Sequence, residues 1–423
     1  MQGCLEHSEK IPVCGEYDII VAGGGVGGVA AAVSAARMGK RVLLIEKSVS
    51  LGGLATIGLI NMFVPMCNGR GVQIIKGMAE ELLRLSISCG YDTLSKAWRD
   101  GEPGLGKTTT RYVTTYSVPI FVMQLTELVK KEGVDLLFDT VVSSPVMDGN
   151  RILGVIVDSK SGREYYRAAM FVDGTGDADL LYRAGVPTAE GGNYDTYVTY
   201  GTTLEKCAKA VETGDIGKLQ TAFCGGNANL FGGNHPEGKP LWRGTDNREI
   251  TQYFVENHAS LLSKISQDER RSRDIFIMPG MPQFRTTRHI VGDHTFREED
   301  VYLHFDDSIG AICDFSRADL LFEVPYRTLC RHDYPNVLAV GRIASAEGFG
   351  WDILRVIPPA ILTGQAAGVA AALALDAGCA IADVDIPTLQ EVLASQNVMI
   401  HFDDAWIPAG DKKNGETVDI GHI

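Results

Sequence analysis

Gly23, Gly25 and Gly28 stand at G-x-G-x-x-G spacing, with Val26 and Gly27 between the second and third. In such a set the first glycine permits a sharp turn and the second lets a pyrophosphate approach the backbone. The third lets the following helix pack tightly on its strand. Glu46 then ends the next apolar stretch, KRVLLI. A carboxylate there accepts hydrogen bonds from ribose hydroxyls and repels a 2′-phosphate. The chemistry these residues ask for is binding of an unphosphorylated dinucleotide. A loop whose glycines serve packing alone is the structural alternative. A second set sits far along the chain. Arg285 and Arg288 are able to grip a carboxylate in bidentate fashion. Three residues apart, they share a face if helical and diverge if extended. Pairing with Glu298, Glu299 or Asp300 is their structural alternative. His289 is a candidate acid or base, or a hydrogen-bonded structural histidine. Cys67, in PMCNG, lacks the neighbouring cysteine that a redox disulfide needs, so a buried thiol is expected.

The elements that must position these groups follow from pattern. Tyr17 to Ala22 is an apolar strand. Val26 to about Met38 is nearly all Ala, Val and Ser, hence a helix able to lie close to a sheet, and Gly39 is its C-cap. Lys40 to Ile45 is a second strand. Residues 135–180 read as successive strands, with turns at Asp148-Gly149-Asn150 and Ser161-Gly162. Their last strand, Ala169 to Val172, runs into Asp173-Gly174-Thr175-Gly176-Asp177. Asn336 to Val340 is a core strand ended by Gly341 and Arg342. Pro358 and Pro359 then open an Ala- and Gly-rich helix reaching Leu375. Its start would favour negative charge. Further helices are expected within 77–90 and at about 203–213 and 247–265.

Bulk properties narrow the function. The chain of 423 residues is 45% apolar and carries a formal net charge of −14. Two or three domains are the length expectation. An acidic surface opposes phosphate backbones, so no nucleic-acid partner is expected. No run long and apolar enough to span a membrane is evident, and the polar opening lacks a signal-peptide core; a cytoplasmic location is the expectation. The nine cysteines contain no C-x-x-C pair, so reduced thiols fit best. The histidines form no H-x-x-x-H pair, and no metal site is expected. No internal repeat is evident. GLGKTTT at 104–110 lacks the earlier glycine and preceding strand of a P-loop, and reads as a loop.

The strand-helix-strand unit alone does not separate NAD from FAD. Gly52 and Gly53, followed by Leu54 and Ala55, resemble the flavoprotein stretch that passes under the ribityl phosphate and the isoalloxazine. The turn at 173–177 resembles the one that returns the chain to FAD in glutathione reductase-like folds. With GGGVGG at 23–28, IEK at 45–47, LGGLATIG at 51–58, VDGTGD at 172–177, VGR at 340–342 and RVIPPAILTGQAAG at 355–368, the chain resembles the FAD-dependent oxidoreductase family, near the fumarate reductase flavoproteins. The likeness covers roughly residues 15–380 and includes RTTRHIVGDHTFREEDV at 285–301. Relatives often place a histidine near the aspartate of the stretch that here reads AICDFSRADL, so no role is carried to Asp314.

The resemblance implies an α/β fold: a Rossmann-like FAD-binding domain with a parallel central sheet and β-meander, plus an inserted α+β substrate domain. The FAD domain would be discontinuous, 15–56, 112–185 and 330–380. Insertions 57–111 and 186–329 would form the substrate cap, and 381–423 a C-terminal extension. Beyond the residues already placed, it implies cofactor contacts from Lys47, Val141, Val142, Val356 and Ile357. The long helix would point its start at flavin N1 and O2. FAD would be held noncovalently. The expected activity is hydride transfer between flavin N5 and a small organic substrate, with a carboxylate as the refinement. Arg285 or Arg288 would anchor it, and in the fumarate reductase branch an arginine also donates a proton. Phe349 and Trp351 would pack near the ring or in the core. FAD kept for a non-redox or structural role, and an NAD-binding protein without flavin, are the alternatives.

Overall fold

The structure is a computed structural model that describes residues 7–408. Residues 1–6, and the polar tail expected as an appended arm beyond Pro408, lie outside the described residues. Seven strands make the central sheet: β1 (Val13–Ala22), β2 (Val42–Ile45), β3 (Asp135–Leu137), β4 (Val141–Asp148), β5 (Arg151–Ser159), β6 (Gly162–Asp173) and β7 (Val337–Ala339). Their order is β3-β2-β1-β6-β5-β4, with β7 also on β6. The pairs β1–β2, β2–β3, β1–β6 and β6–β7 are parallel, whereas β4–β5 and β5–β6 form an antiparallel meander. One edge of the long strand β6 is therefore shared. Its first half pairs with β5 through Gly162 to Arg167, and its last residues pair with β7 through Phe171 to Asp173.

Six longer helices matter for the site and its surroundings: α1 (Val26–Arg37), α2 (Met78–Ile87), α3 (Val118–Lys131), α4 (Asn247–Ile265), α5 (Ile357–Ala377) and α6 (Ile386–Ser395). The expected helix at 203–213 is present as Leu204–Thr213. The last strand expected at 169–172 is instead the 12-residue β6, because Gly162 begins a hairpin that extends it backwards.

Helices α1 and α5 cross face to face, and their composition is what permits it. A Cβ on Gly364 would lie 2.1 Å from the carbonyl oxygen of Gly27, and one on Gly368 would lie 2.3 Å from that of Ala31. Backbone therefore meets backbone, with Ala30 and Ser34 flanking the contact. Close packing of this sort tolerates no added volume. Almost all of α5 is buried. It is long and apolar enough to cross a membrane, which the sequence reading had not registered, yet 78% of its most apolar window is buried inside this protein.

A smaller antiparallel sheet joins Thr196–Thr203 to Thr221–Asn227 and to Arg273–Ile277. It has its own core of Tyr197, Trp242, Tyr253, Leu261 and Phe284. Asp246 caps α4 by accepting from the Arg248 and Glu249 amides.

Gly364→Val and Gly368→Val should each lower the unfolding free energy by about 1–3 kcal/mol or more, read from denaturant midpoints. Gly133→Asn is the control. That glycine has φ +75° and open space around its Cβ position, so the change should stay within about 0.5 kcal/mol.

Candidate functional site

Five parallel strands end at one place, and their last residues are laced together. The Gly23 amide donates to the Ile45 carbonyl at 2.7 Å, the Gly174 amide to Ala22 at 2.7 Å, the Glu46 amide to Leu137 at 2.8 Å and the Val340 amide to Asp173 at 3.0 Å. This is the carboxyl edge of an open sheet, where such folds bind ligands. A cleft of about 720 Å³, partly open to solvent, lies there.

The glycines divide into those that make the turn and those that face the cleft. Gly23 has φ +97°, and a Cβ on it would sit 2.4 Å from the Gly174 oxygen. A Cβ on Gly28 would sit 1.9 Å from the Gly23 oxygen. Both positions are closed to larger residues by the fold itself. A Cβ on Gly25 meets only the Gly174 oxygen, at 3.8 Å, so this glycine leaves open space beside the backbone. Gly25, Val26, Gly27 and Gly28 line the cleft, as do Gly52, Gly53, Leu54 and Ala55.

Two helices begin in this cleft, and neither is capped by a side chain. Gly25 is the N-cap of α1 and Val356 that of α5. By contrast, Thr203, Asp246 and Asp385 cap helices elsewhere. The first-turn amides of α1 thus keep their donors for an anion, whereas Pro358 and Pro359 carry no N–H and Ala360 already donates to Val356, so the start of α5 offers the Ile357 amide and its positive dipole end.

Carboxylates set the rim. Glu46, buried, accepts from the Gly24 amide at 2.7 Å through Oε2 and from the Ser48 amide at 2.7 Å through Oε1. It is thereby fixed in the wall rather than swinging in solvent. Asp173, fully buried, accepts from the Thr175 amide at 2.9 Å, the Thr175 hydroxyl at 2.7 Å and the Leu181 amide at 3.0 Å. These bonds hold Gly174, Thr175 and Gly176 against the cleft. Burial outweighs those three donors and raises its pKa from 3.8 to about 6.

Three guanidinium groups lie near one another at or beside the cleft. Arg342 donates to the Phe284 carbonyl at 2.7 Å and to Asp177 at 2.6 Å. Lys47 reaches the same aspartate at 3.7 Å. Arg355 pairs with Asp352 at 2.6 Å and lines the cleft. Arg285 donates to the Thr196 hydroxyl at 3.2 Å and has no carboxylate at salt-bridge distance among the described residues. Desolvation, and then the like charge of Arg355, pull its pKa down to about 10.

Other expected residues stand elsewhere. Arg288 is buried against Glu190 at 3.5 Å and Asp179 at 3.8 Å, and lies over the Tyr182 ring at 3.9 Å. It sits on the short strand Arg288–Ile290, so it diverges from Arg285, and its acids are not the three named from sequence. His289 donates through Nδ1 to the Ile290 carbonyl, 2.6 Å away, and abuts Trp351 at 4.4 Å; burial lowers its pKa. The Trp351 ring N–H donates to the Arg342 carbonyl at 2.7 Å. Phe349 stacks with Phe231 and Phe315. Cys67 is a buried thiol accepting from the Tyr112 amide at 3.1 Å, and burial pushes its pKa up. Asp314 accepts from the Ser316 amide at 2.7 Å and pairs with Arg317 at 2.6 Å, a turn-forming role. Arg285, Arg288, Val141, Val142, Gly23, Asp177 and Val356 are not among the lining residues, whereas Glu46, Lys47, Gly341, Arg342 and Ile357 are.

Sequence reading passed over Met281, Val340 and Ala360, which also line the cleft, as do Ile57 and Arg355 from the stretches 54–68 and 345–355 where substrate contacts are expected. Arg355 carried a signal, since it directly precedes the first turn of a helix aimed at an anion. Met281 carried none, because it arrives from a coil in the larger insertion.

The family model for FAD dependent oxidoreductases matches residues 18–216 and 247–393. Thioredoxin reductase of Ureaplasma parvum serovar 3 is 29% identical over 104 residues, which are 25% of this chain and 34% of that protein; the match spans about a third of the curated relative's length. Among solved structures, a geranylgeranyl bacteriochlorophyll reductase-like protein from Thermoplasma acidophilum aligns at TM-score 0.43 and 15% identity, covering 93% of this chain and 94% of that one. L-proline dehydrogenase from P. horikoshii aligns at TM-score 0.41 and 13% identity, covering 92% and 100%.

Asp173 gives this site a pH signature in stability. Its folded pKa, about 6, exceeds its ordinary 3.8. The protonated form is therefore the one folding favours. Its contribution is complete below pH 3.8 and is lost as pH rises through about 6. Unfolding free energies of the wild type relative to Asp173→Asn should fall by about 3 kcal/mol across that window. A flat difference curve would contradict this.

Proposed function

Because the chain belongs to the FAD-dependent oxidoreductase family, we propose that it oxidises or reduces a small carboxylate-bearing organic molecule, with Arg285 and Arg355 holding the carboxylate. The family's cofactor is FAD, and the cleft suits it on two counts. Gly25 leaves room for a pyrophosphate at the open start of α1. Glu46 is fixed where ribose hydroxyls would meet it. The uncapped start of α5 would face the pyrimidine edge of the flavin, where a helix dipole favours negative charge by about 0.3–2 kcal/mol. Bound FAD supplies hydride exchange at N5.

One observation carries the substrate reading. Arg285, Arg355 and Asp352 form a partly buried group holding two positive charges and one negative. Uncompensated charge away from water is costly. A substrate carboxylate bound between the two guanidiniums balances the group, and bidentate geometry fixes the substrate's orientation. The other guanidinium at the cleft, Arg342, already has Asp177 and so serves the wall. Segments 57–111 and 186–329 would cover the substrate, the first through Ile57 and the second through Met281. The lowered pKa of Arg285 still leaves it charged at neutral pH, as an anchor requires.

Two measurements test this. The purified protein should carry a flavin absorption band that bleaches anaerobically with one of a panel of small organic acids and returns on reoxidation. A bound flavin that no donor bleaches would favour a non-redox role, and no flavin band would favour NAD. With a substrate in hand, Arg285→Ala should lower kcat/KM by about 10–100-fold, the value of a hydrogen bond to a charged group, while the flavin content stays unchanged. Equal loss on an uncharged amide analogue would remove the carboxylate assignment.

A further inference from the structure

We propose that His304, Glu323 and His401 bind a divalent transition-metal ion at a site apart from the flavin cleft. The three come from separate places. Glu323 lies on the strand Leu321–Pro325, His304 precedes the partner strand Ser308–Cys313, and His401 follows α6. Their ligand atoms all fall within 4.8 Å of one another. His304 Nδ1 is 2.6 Å from one Glu323 oxygen, and His401 Nδ1 is 3.0 Å from the other. Glu323 is fully buried, while the two rings are about half exposed. The ligands thus converge from the floor and two walls, and the solvent side stays open for water.

The bonding pattern around His304 suits an ion better than protons. In the arrangement above, its Nδ1 faces Glu323 and its Nε2 faces Asp404 at 2.8 Å. Two carboxylates thus flank one ring, and satisfying both by hydrogen bonds requires two ring protons. With an ion at Nδ1, the neutral ring keeps only its Nε2 proton, which Asp404 accepts. That is the carboxylate–histidine–metal arrangement that fixes tautomer and ring direction. Ion binding displaces the Nδ1 protons to solvent and places a dication beside a buried carboxylate that also holds the Phe305 amide at 2.8 Å. Imidazole nitrogens with one carboxylate suit zinc and its first-row neighbours. Tetrahedral ligands at about 2.0–2.2 Å from zinc sit about 3.3–3.6 Å apart, so the 2.6 Å His304–Glu323 contact must open by about 0.7–1 Å and the 3.0 Å His401–Glu323 contact by about 0.3–0.6 Å.

The sequence shows a kinship between the two walls. Residues 303–307 read LHFDD and 400–404 read IHFDD, a short internal repeat that a search at domain scale passes over. The copies have diverged in use. Asp404 holds His304, whereas Asp307 of the other copy pairs with Arg327 at 2.9 Å. The ion would fasten the segment after α6 to the two-stranded sheet of Ser308–Cys313 and Leu321–Pro325.

The test uses the full-length flavin-loaded protein, stripped with a chelator and titrated with Zn²⁺ by calorimetry and with Co²⁺ by visible absorption. One equivalent of Zn²⁺ should bind and raise the thermal midpoint, and Co²⁺ should develop ligand-field bands. Both responses should vanish in His304→Ala and in His401→Ala, whose unchanged flavin spectra report intact folding. Asp404→Ala should bind about 10–100-fold more weakly, as expected for an outer partner of a ligating histidine. Absence of saturable binding in the wild type would overturn the proposal. So would undiminished binding in a His304→Ala, His401→Ala double variant. Either would make the cluster a proton-bridged clasp.

Discussion

The fold depends on a place where two helices touch through their backbones. Gly364 on α5 meets the Gly27 carbonyl of α1, and Gly368 meets that of Ala31. No side chain separates them, so the relative position of α1 and α5 has little slack. Both helices start at the same cleft, one at Gly25 and the other just after Val356. Fixing the crossing therefore fixes the separation of two positive helix ends. A dinucleotide that spans them meets donors set before it arrives, and preorganised dipoles lose no energy to rearrangement.

Much of this was legible in the chain. The glycine spacing, the alanine run and Glu46 lie within one stretch, so local rules of turn, packing and charge place them. The same holds for the double proline in the first turn of α5. Strand β6 was read too short because its first half is held by a hairpin, and hairpin length is set by pairing rather than by composition. The arginines show where local reading ends. Arg285 and Arg288 look alike in sequence, yet one is left without an acid and the other is consumed by Asp179 and Glu190. Those partners come from strands and helices far away along the chain, so no spacing rule reveals them. The His304, Glu323 and His401 cluster is the same case at greater range, with members separated by whole elements.

The electrostatics of the cleft follow a division of labour. The glycine end offers backbone donors and dipoles, which carry no ionisable hydrogen and do not titrate. Beside them stand guanidiniums, two of them neutralised by Asp177 and Asp352.

The division of strand β6 between β5 and β7 has a consequence for biosynthesis. As the polypeptide leaves the ribosome, β1, α1 and β2 emerge first, and the meander can pair with them as soon as β6 is complete. The rest of that edge waits for β7, and the apolar face of α1 waits for α5, until over three quarters of the chain has been made. Contacts closed across so much sequence form slowly. In the interval, the alanine face of α1 and the free end of β6 are exposed to any chaperone or stray strand. The nascent protein is hence most vulnerable at the very surfaces that later enclose its nucleotide.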